Sequence, residues 1–346
     1  MTDIFPISFL ISLLFIFFDK FLSKLGYKNL RDSPQTLHFN SVSRFGGIAI
    51  YTSLFIVCFY TSNDAYDFLR NLLLCSIPLF FVGLLDDFRV NISPIFRMVL
   101  GIPTAILCYI FLGTEAYSLE IYLIDELFEY KFFSLLFICF ALIGMANAFN
   151  VIDGMNGLAL LYSISVCATI LFSFELSKTI EIYYALVALL FSLLGIFVLN
   201  FPFGKIFLGD GGAYMLGLML SVCVIKVYQI NQVSPWYVLL VFIYPTTEIL
   251  SSIFRRIIAR ISTTQPDNNH LHHLIYKRIK KIGIQSERIK HAIVTVLLFM
   301  LYFPFLLGAN YFSNDSFALK VSCLIFVVLY FIFYLLLSPQ NFRIKQ

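Results

Sequence analysis

Four short polar stretches interrupt an otherwise apolar chain, and each carries groups capable of chemistry. The first, GLLDDFRV, holds the adjacent carboxylates Asp86 and Asp87. Neighbouring positions on a helix point about 100° apart, so one of the pair is expected to line a cleft while the other orients it or meets a loop. An acidic pair at this end of an apolar run also opposes the helix dipole, which favours cations there. The second stretch, NAFNVIDGMNGLA, places Asn147, Asn150, Asp153 and Asn156 three residues apart. That spacing predicts one polar helical stripe. The segment has no Lys or Arg, so Asp153 needs a metal, a proton or a partner from elsewhere in the chain. Gly154 and Gly157 remove bulk and let backbone approach a ligand.

In the third stretch, PFGKIFLGDGGAYMLG, Asp210 precedes two glycines and a new apolar run. Backbone amides and a helix N-terminus beside a carboxylate suit a phosphate with its divalent cation. The segment does not fit G-x-x-x-x-G-K-[ST], so it is not a P-loop. The fourth is residues 255–291, read as a long loop with Arg255, Arg256, Arg260, Lys277, Arg278, Lys280, Lys281, Arg288 and Lys290 around His270, His272 and His273. Zinc would want histidines at i and i+4 with a third ligand. His270 and His273 are instead at i and i+3, with no Cys nearby. Basic residues mixed with imidazoles suit phosphates, to which they offer both charge and directional donors. No motif supports nucleic-acid binding.

The elements that must position these groups are membrane helices. The chain is 60% hydrophobic and 13% charged, against roughly 45–50% and 25% in soluble domains. At about 20 residues per span, eleven apolar runs are read: 4–22, 46–62, 68–85, 95–113, 132–149, 158–174, 182–199, 212–230, 236–254, 292–309 and 317–337. The flank MTDIFP is acidic and no small-residue cleavage site follows, so the first run reads as a retained span rather than a signal peptide. Most of the 24 Lys and Arg lie in or beside the segments after the odd-numbered runs. Positive residues stay inside, which sets the N-terminus outside and the C-terminus in the cytoplasm. All four polar stretches then share the cytoplasmic face. The seven cysteines all fall in apolar runs and read as packing residues rather than disulfides or ligands. Most of the 40 Phe rings are expected to face lipid or neighbouring helices.

Taken together, DSPQTLHFNSVSRFGG, LDD, NAFNVIDGMNGLA, FLGDGG and PDNNHLHH resemble, in order and orientation, the polyprenyl-phosphate N-acetylhexosamine-1-phosphate transferases (glycosyltransferase family 4). The resemblance covers nearly the whole chain as one integral-membrane domain, 1–346. It implies an all-α polytopic fold with its active site on the cytoplasmic face of a bacterial inner membrane. It also implies transfer of a sugar 1-phosphate from a UDP-sugar to undecaprenyl phosphate, with release of UMP. Mg²⁺ is the implied cofactor, with Mn²⁺ as its substitute, and membrane lipids and a second copy of the chain are the implied partners. By the same resemblance Asp210 is the metal ligand, and Asp86, Asp87 and Asp153 are the catalytic carboxylates. Asn150, Asn156, Arg256, His270, His272, His273 and His38 are implied substrate contacts. The spelling HLHH is similar to the WecA and TagO branch rather than to MraY, whose loop carries three consecutive histidines, and so points away from a muramoyl-pentapeptide substrate. Ser33, Gln35, Thr36 and Leu37 depart from the usual D-K-P and basic residues before His38, and Glu248 stands where relatives commonly carry Asp.

Two other classes fit a polytopic chain with polar insertions. An intramembrane aromatic prenyltransferase would show two N/D-x-x-x-D-type motifs of similar form, whereas here the acids are a pair and isolated Asp-Gly units. A transporter would carry its acids at mid-depth. Here they sit at span ends, except Glu248.

Overall fold

The computed structural model describes residues 3–24, 42–60, 64–88, 92–174, 180–260 and 267–338. His38 lies outside the described residues. Within them the chain is helical, and the one β-bridge pairs Ser43 with Ile206. The helices are α1 (Ile4–Lys24), α2 (Gly46–Tyr60), α3 (Asp67–Asp87), α4 (Pro94–Leu112), α5 (Tyr122–Phe128), α6 (Lys131–Ile152) and α7 (Leu158–Ser173). They continue as α8 (Ile180–Asn200), α9 (Gly209–Asn231), α10 (Pro235–Val241), α11 (Ile243–Ile258), α12 (Leu271–Lys281), α13 (Glu287–Tyr311) and α14 (Ser316–Leu337).

Among the described residues eight helices are long and apolar enough to cross a membrane: α1, α3, α4, α6, α8, α9, α13 and α14. The bent pair α10 and α11 makes a ninth if it is one span, and α2 and α7 are apolar but shorter. Helices suit this solvent because every backbone group within them is satisfied internally. Their ends follow from local chemistry. Ser93 caps α4 by accepting from the Phe96 amide, with Pro94 in the first turn and Gly113 left-handed after the last. Asp315 caps α14 in the same way, accepting from the Ala318 amide.

The centre of the bundle is α9, in which every residue from Gly209 to Ile225 except Asp210 is buried. It packs against α3 and α6, and also against α2, α7, α8 and α10. Small residues make this approach close: a Cβ on Gly83 of α3 would lie 2.4 Å from the Gly211 Cα, and one on Gly47 of α2 would lie 2.4 Å from the Gly212 Cα. The glycines after Asp210 therefore serve as contact surfaces between helices. The polar site assembles where α3 and α6 end and α9 begins.

Three expectations change. The described residues of 255–291 are mostly helix rather than loop: α11 runs to Ile258, α12 is a separate amphipathic helix and α13 starts at Glu287. The Asn/Asp stripe is broken, because α6 stops at Ile152 and Asp153 is its C-cap. Gly157 then takes a left-handed conformation, φ 78°, before α7, so Asn156 belongs to a turn. Finally, the run 236–254 is not one straight helix: α10 and α11 are bent by 77°. The break exposes a carbonyl at Val241, and the Tyr162 hydroxyl donates to it at 2.5 Å.

Candidate active site

An extended strip ahead of α2 pairs with the third polar stretch. The Gly46 and Gly47 amides donate to Phe207 and Leu208, and the Phe207 amide donates to Ser43. This pairing sets Arg44 near the end of α3, where its Nη1 lies 3.9 Å from Asp87 Oδ1.

Adjacent on α3, Asp86 and Asp87 diverge. The Asp87 carboxylate accepts from the Asp210 amide at 2.9 Å and the Gly211 amide at 3.0 Å. It caps α9 from outside, since no side chain of α9's own N-cap does so. These are the amides that the sequence offers to a phosphate. They are already engaged, because a buried helix N-terminus needs an acceptor whether or not a ligand is bound. Gly209, φ 77°, leaves room for this contact: a Cβ there would stand 2.6 Å from Asp87 Oδ2. Asp86 instead accepts from Arg97 Nη1 at 2.6 Å, and Arg97 also donates to the Tyr214 hydroxyl at 3.1 Å.

The charge of Asp210 acts on Asp86, Asp87 and Asp153 together. Asp153 is set deep among protein atoms yet keeps part of its surface accessible. Burial first, then the charges of Asp210 and Asp87, push its carboxyl well above the usual carboxylate range, with Arg44 opposing. Four carboxylates thus face two guanidinium groups, Arg44 and Arg97. The donor set is hard oxygen, which suits Mg²⁺. No group of three or more His, Cys, Asp or Glu that could enclose a metal occurs among the described residues. That fits a cation that takes one or two carboxylates and completes its shell with waters and substrate phosphates. Within the described residues no hydrogen bond engages the Asp210 carboxylate.

The second stretch lies alongside. Asn156 is buried, its carbonyl accepts from Thr295 Oγ1 at 2.8 Å and its Nδ2 donates to the Pro202 carbonyl at 3.4 Å. Its amide faces His291 Nδ1 at 3.4 Å. Its Oδ1 is buried without a hydrogen-bond partner among the described residues. Asn150 is half-buried in the last turn of α6, and Asn147 is turned back on its own helix, donating to Ile143.

The histidines form one packed group at the start of α12, with His270 and His272 ring centroids 5.4 Å apart and His272 and His273 4.3 Å apart. His272 lies on Gly154, where an added Cβ would fall 2.5 Å from its Nε2. It is fully buried, and neither ring nitrogen has a hydrogen-bond partner among the described residues. Burial, then the neighbouring His273, His270 and His291, hold its pKa well below normal. Burial, then the neighbouring His270 and Lys277, also push His273 down, to about 4. Both rings are therefore neutral at pH 7, each with one N–H to donate. His270 is different, since its Nδ1 donates to Glu248 Oε1 at 3.0 Å.

Much of the positive charge expected to grip an anion has internal partners. Arg255 bonds Asp267 at 2.8 Å, Lys290 bonds Glu287 at 2.6 Å, and Arg278 donates to the carbonyls of Leu336 and Leu337. Arg256 is half-buried in the last turn of α11. The structure thus gathers Asp86, Asp87, Asp153 and Asp210, with Asn156 and His272 beside them. Sequence reasoning passed over Arg44, Arg97, Tyr214, Asp267 and His291. A lone Arg inside an apolar run marks function by default, and Arg97 was readable on that ground.

Helices that pack around a recessed set of carboxylates and imidazoles, built at helix ends, define an integral membrane protein with a polar site at one edge of the bundle. The profile of Glycosyl transferase family 4 matches residues 69–228, a span that contains all four aspartates. Over 261 residues the chain is 30% identical to the undecaprenyl-phosphate alpha-N-acetylglucosaminyl 1-phosphate transferase of Thermotoga maritima, covering 75% of this chain and 77% of that protein. It is 30% identical over 292 residues to the transferase of the same name from Escherichia coli O157:H7, covering 80% and 76%. A phospho-N-acetylmuramoyl-pentapeptide-transferase of Streptococcus sanguinis is 30% identical over 183 residues, covering 50% and 54%. The chain belongs to glycosyl transferase family 4.

Proposed function

We propose that this chain transfers an N-acetylhexosamine 1-phosphate from a UDP-sugar to undecaprenyl phosphate, releasing UMP and starting a lipid-linked glycan for an envelope polysaccharide such as O-antigen, enterobacterial-type antigen or teichoic acid. The observation that carries this reading is the meeting of two distant segments: His272 rests on Gly154, next to Asp153, whose carboxyl feels Asp87 and Asp210.

In this reaction an oxygen of the lipid phosphate attacks the β-phosphorus of the UDP-sugar. The bond from that phosphorus to the bridging oxygen breaks, and UMP leaves with the electron pair. Both reactants are anions, so positioning and charge compensation dominate the barrier. A phosphate monoester with a second pKa of roughly 6 is already nucleophilic at neutral pH, so no side chain is required to deprotonate it. Asp210 would hold Mg²⁺, or Mn²⁺ in its place, which supplies positive charge to the diphosphate. Asp87 fixes the first turn of α9 and with it Asp210, while Asp86 keeps the Arg97 guanidinium within the acidic cluster. Neutral His272 and His273 offer N–H donors to the diphosphate or sugar. Asn150 and Asn156 would serve the nucleotide pocket, and Arg256 and His38 would be substrate contacts.

The bent pair and the two shorter apolar helices, added to the eight long ones, give eleven spans. With the positive-inside bias the N-terminus is outside, and the site opens to the cytoplasm at a bacterial inner membrane, where lipid acceptor and soluble donor meet. A homodimer is compatible with this arrangement.

Purified protein in nanodiscs should release UMP from UDP-N-acetylglucosamine only when undecaprenyl phosphate and Mg²⁺ are both present. Release without the lipid acceptor would overturn the reaction, and a panel of UDP-sugars read by product mass identifies the donor.

A further inference from the structure

Glu248 is a carboxylate with no surface exposure, on a helix that reads as part of a membrane span. A buried charge of this kind is expensive unless fully hydrogen-bonded, and here both oxygens are. Oε1 accepts from His270 Nδ1 at 3.0 Å and from the Leu271 amide at 2.8 Å. Oε2 accepts from the Tyr330 hydroxyl of α14 at 2.9 Å. Leu271 is the first residue of α12, and no side chain from His270, its N-cap, caps the helix. Glu248 thus caps α12 from a different helix, as Asp87 caps α9.

A second set of bonds runs parallel to the first. Asp267 accepts from Ser252 Oγ at 2.6 Å and from Arg255 Nη2 at 2.8 Å, both on α11, and from the Asn269 amide at 2.9 Å. Arg255 Nη1 reaches Ser251 Oγ at 3.0 Å, and Ser251 Oγ lies 3.0 Å from the Tyr330 hydroxyl. The start of α12 is therefore bolted to α11 and α14, two residues before the ring that lies on Gly154.

We propose that Glu248 is the positioning residue of the histidine segment: its buried carboxylate, held by Tyr330, clamps His270 and Leu271 and so fixes His272 against Gly154 beside Asp153. Glu248 and His270 are not among the groups proposed to meet substrate; they hold α12 so that His272 keeps its place against Gly154. Where this concerns turnover it rests on the transfer reaction proposed above, and the test separates the two.

The first measurement uses no substrate. Hydrogen–deuterium exchange of the full-length protein in nanodiscs compares wild type with Glu248→Gln, whose amide presents a donor to groups that are themselves donors. Exchange across 270–276 should speed up at least ~10-fold, while the first turn of α9 exchanges as in wild type. Tyr330→Phe removes one of the three bonds and leaves the charge, so a smaller acceleration over the same segment is expected. It serves as the readout if Glu248→Gln does not insert. The second measurement is a double-mutant cycle on kcat/KM. Glu248→Gln and His272→Ala should each lower it on the order of 100-fold, and the double variant should be no worse than the poorer single one, because both remove the same placement. Glu248→Asp keeps the carboxylate but draws it back by one methylene, so its activity should lie above that of Glu248→Gln and below wild type. Unchanged exchange at 270–276 in both Glu248→Gln and Tyr330→Phe, or multiplicative losses in the cycle, would overturn the clamp. If wild type transfers no sugar phosphate but the exchange pattern holds, the reaction reading fails and the clamp stands.

Discussion

Substituting alanine for Gly154 adds one methyl group to an exposed position and places it 2.5 Å from His272 Nε2 and 3.0 Å from Cδ2. Non-bonded heavy atoms settle near 3.5 Å, so the ring must retreat by about 1 Å. It has little room to do so, being fully buried and packed between His270 and His273. The backbone at 154 is not left-handed, so alanine strains nothing in the main chain, and the cost to folding is that of overpacking the ring, roughly 1–3 kcal/mol. Turnover should fall as well. A displacement of about 1 Å in a group that orients reacting atoms costs on the order of 100-fold, about 2.7 kcal/mol of barrier. The assay is formation of lipid-linked sugar by purified protein in nanodiscs at saturating UDP-N-acetylglucosamine, with unfolding followed through the fluorescence of Trp236. Activity within threefold of wild type in the folded variant would refute the claim that the placement of His272 on Gly154 matters.

Asp210→Asn should abolish turnover at every Mg²⁺ concentration while the protein still inserts, and near-normal activity across a Mg²⁺ titration would remove Asp210 from the metal site. Asp87→Ala leaves the Asp210 and Gly211 amides uncapped, and the loss of two bonds to a charged acceptor should destabilise the fold by roughly 2–5 kcal/mol, read as a lower unfolding temperature with or without substrate. Burial raises the Asp267 carboxyl, but Ser252, His270, the Asn269 amide and Arg255 more than offset this and leave it below the usual range. A depressed folded pKa stabilises above the unfolded value and loses that contribution as the pH falls. Asp267→Asn should therefore be less stable than wild type at pH 7, with the gap closing below about pH 4; a constant gap would deny the ionic role.

The elements were legible because each apolar run had to become a helix in a solvent that offers no hydrogen bonds. What lay between them was less so. Asp210-Gly-Gly reads equally as a phosphate loop or as a helix start that packs tightly, and only the partner decides. Gly211 meets Gly83 and Gly212 meets Gly47, from helices far away in sequence. The period of three in the Asn/Asp segment was real, but the helix ended at Ile152, since two glycines follow and the αL turn at Gly157 competes with continuation. The basic residues of 255–291 suggested an anion grip. Amphipathic helices use several of them to satisfy carbonyls and carboxylates nearby, and composition does not reveal this.

The four aspartates of the site are chemically identical in the sequence, and what distinguishes them is the partner each one holds. Asp87 is committed to two backbone amides of α9, and moving it would uncap a buried helix. Asp86 is committed to Arg97 at 2.6 Å, a contact short enough to leave little reason to exchange it. Asp153 is buried near the charges of Asp210 and Asp87, which together raise its carboxyl against the opposing charge of Arg44. Asp210 stands in the first turn of α9, its amide anchored by Asp87 and its carboxylate free of protein donors among the described residues. An anchored backbone with an uncommitted side chain is what a ligand site requires. The same division recurs at α12, where Glu248 anchors the first turn and His272 is left without a hydrogen-bond partner among the described residues. Both reactive groups thus depend on an acid from another helix, so losing either anchor should reduce turnover by misplacing a neighbour that is itself unchanged.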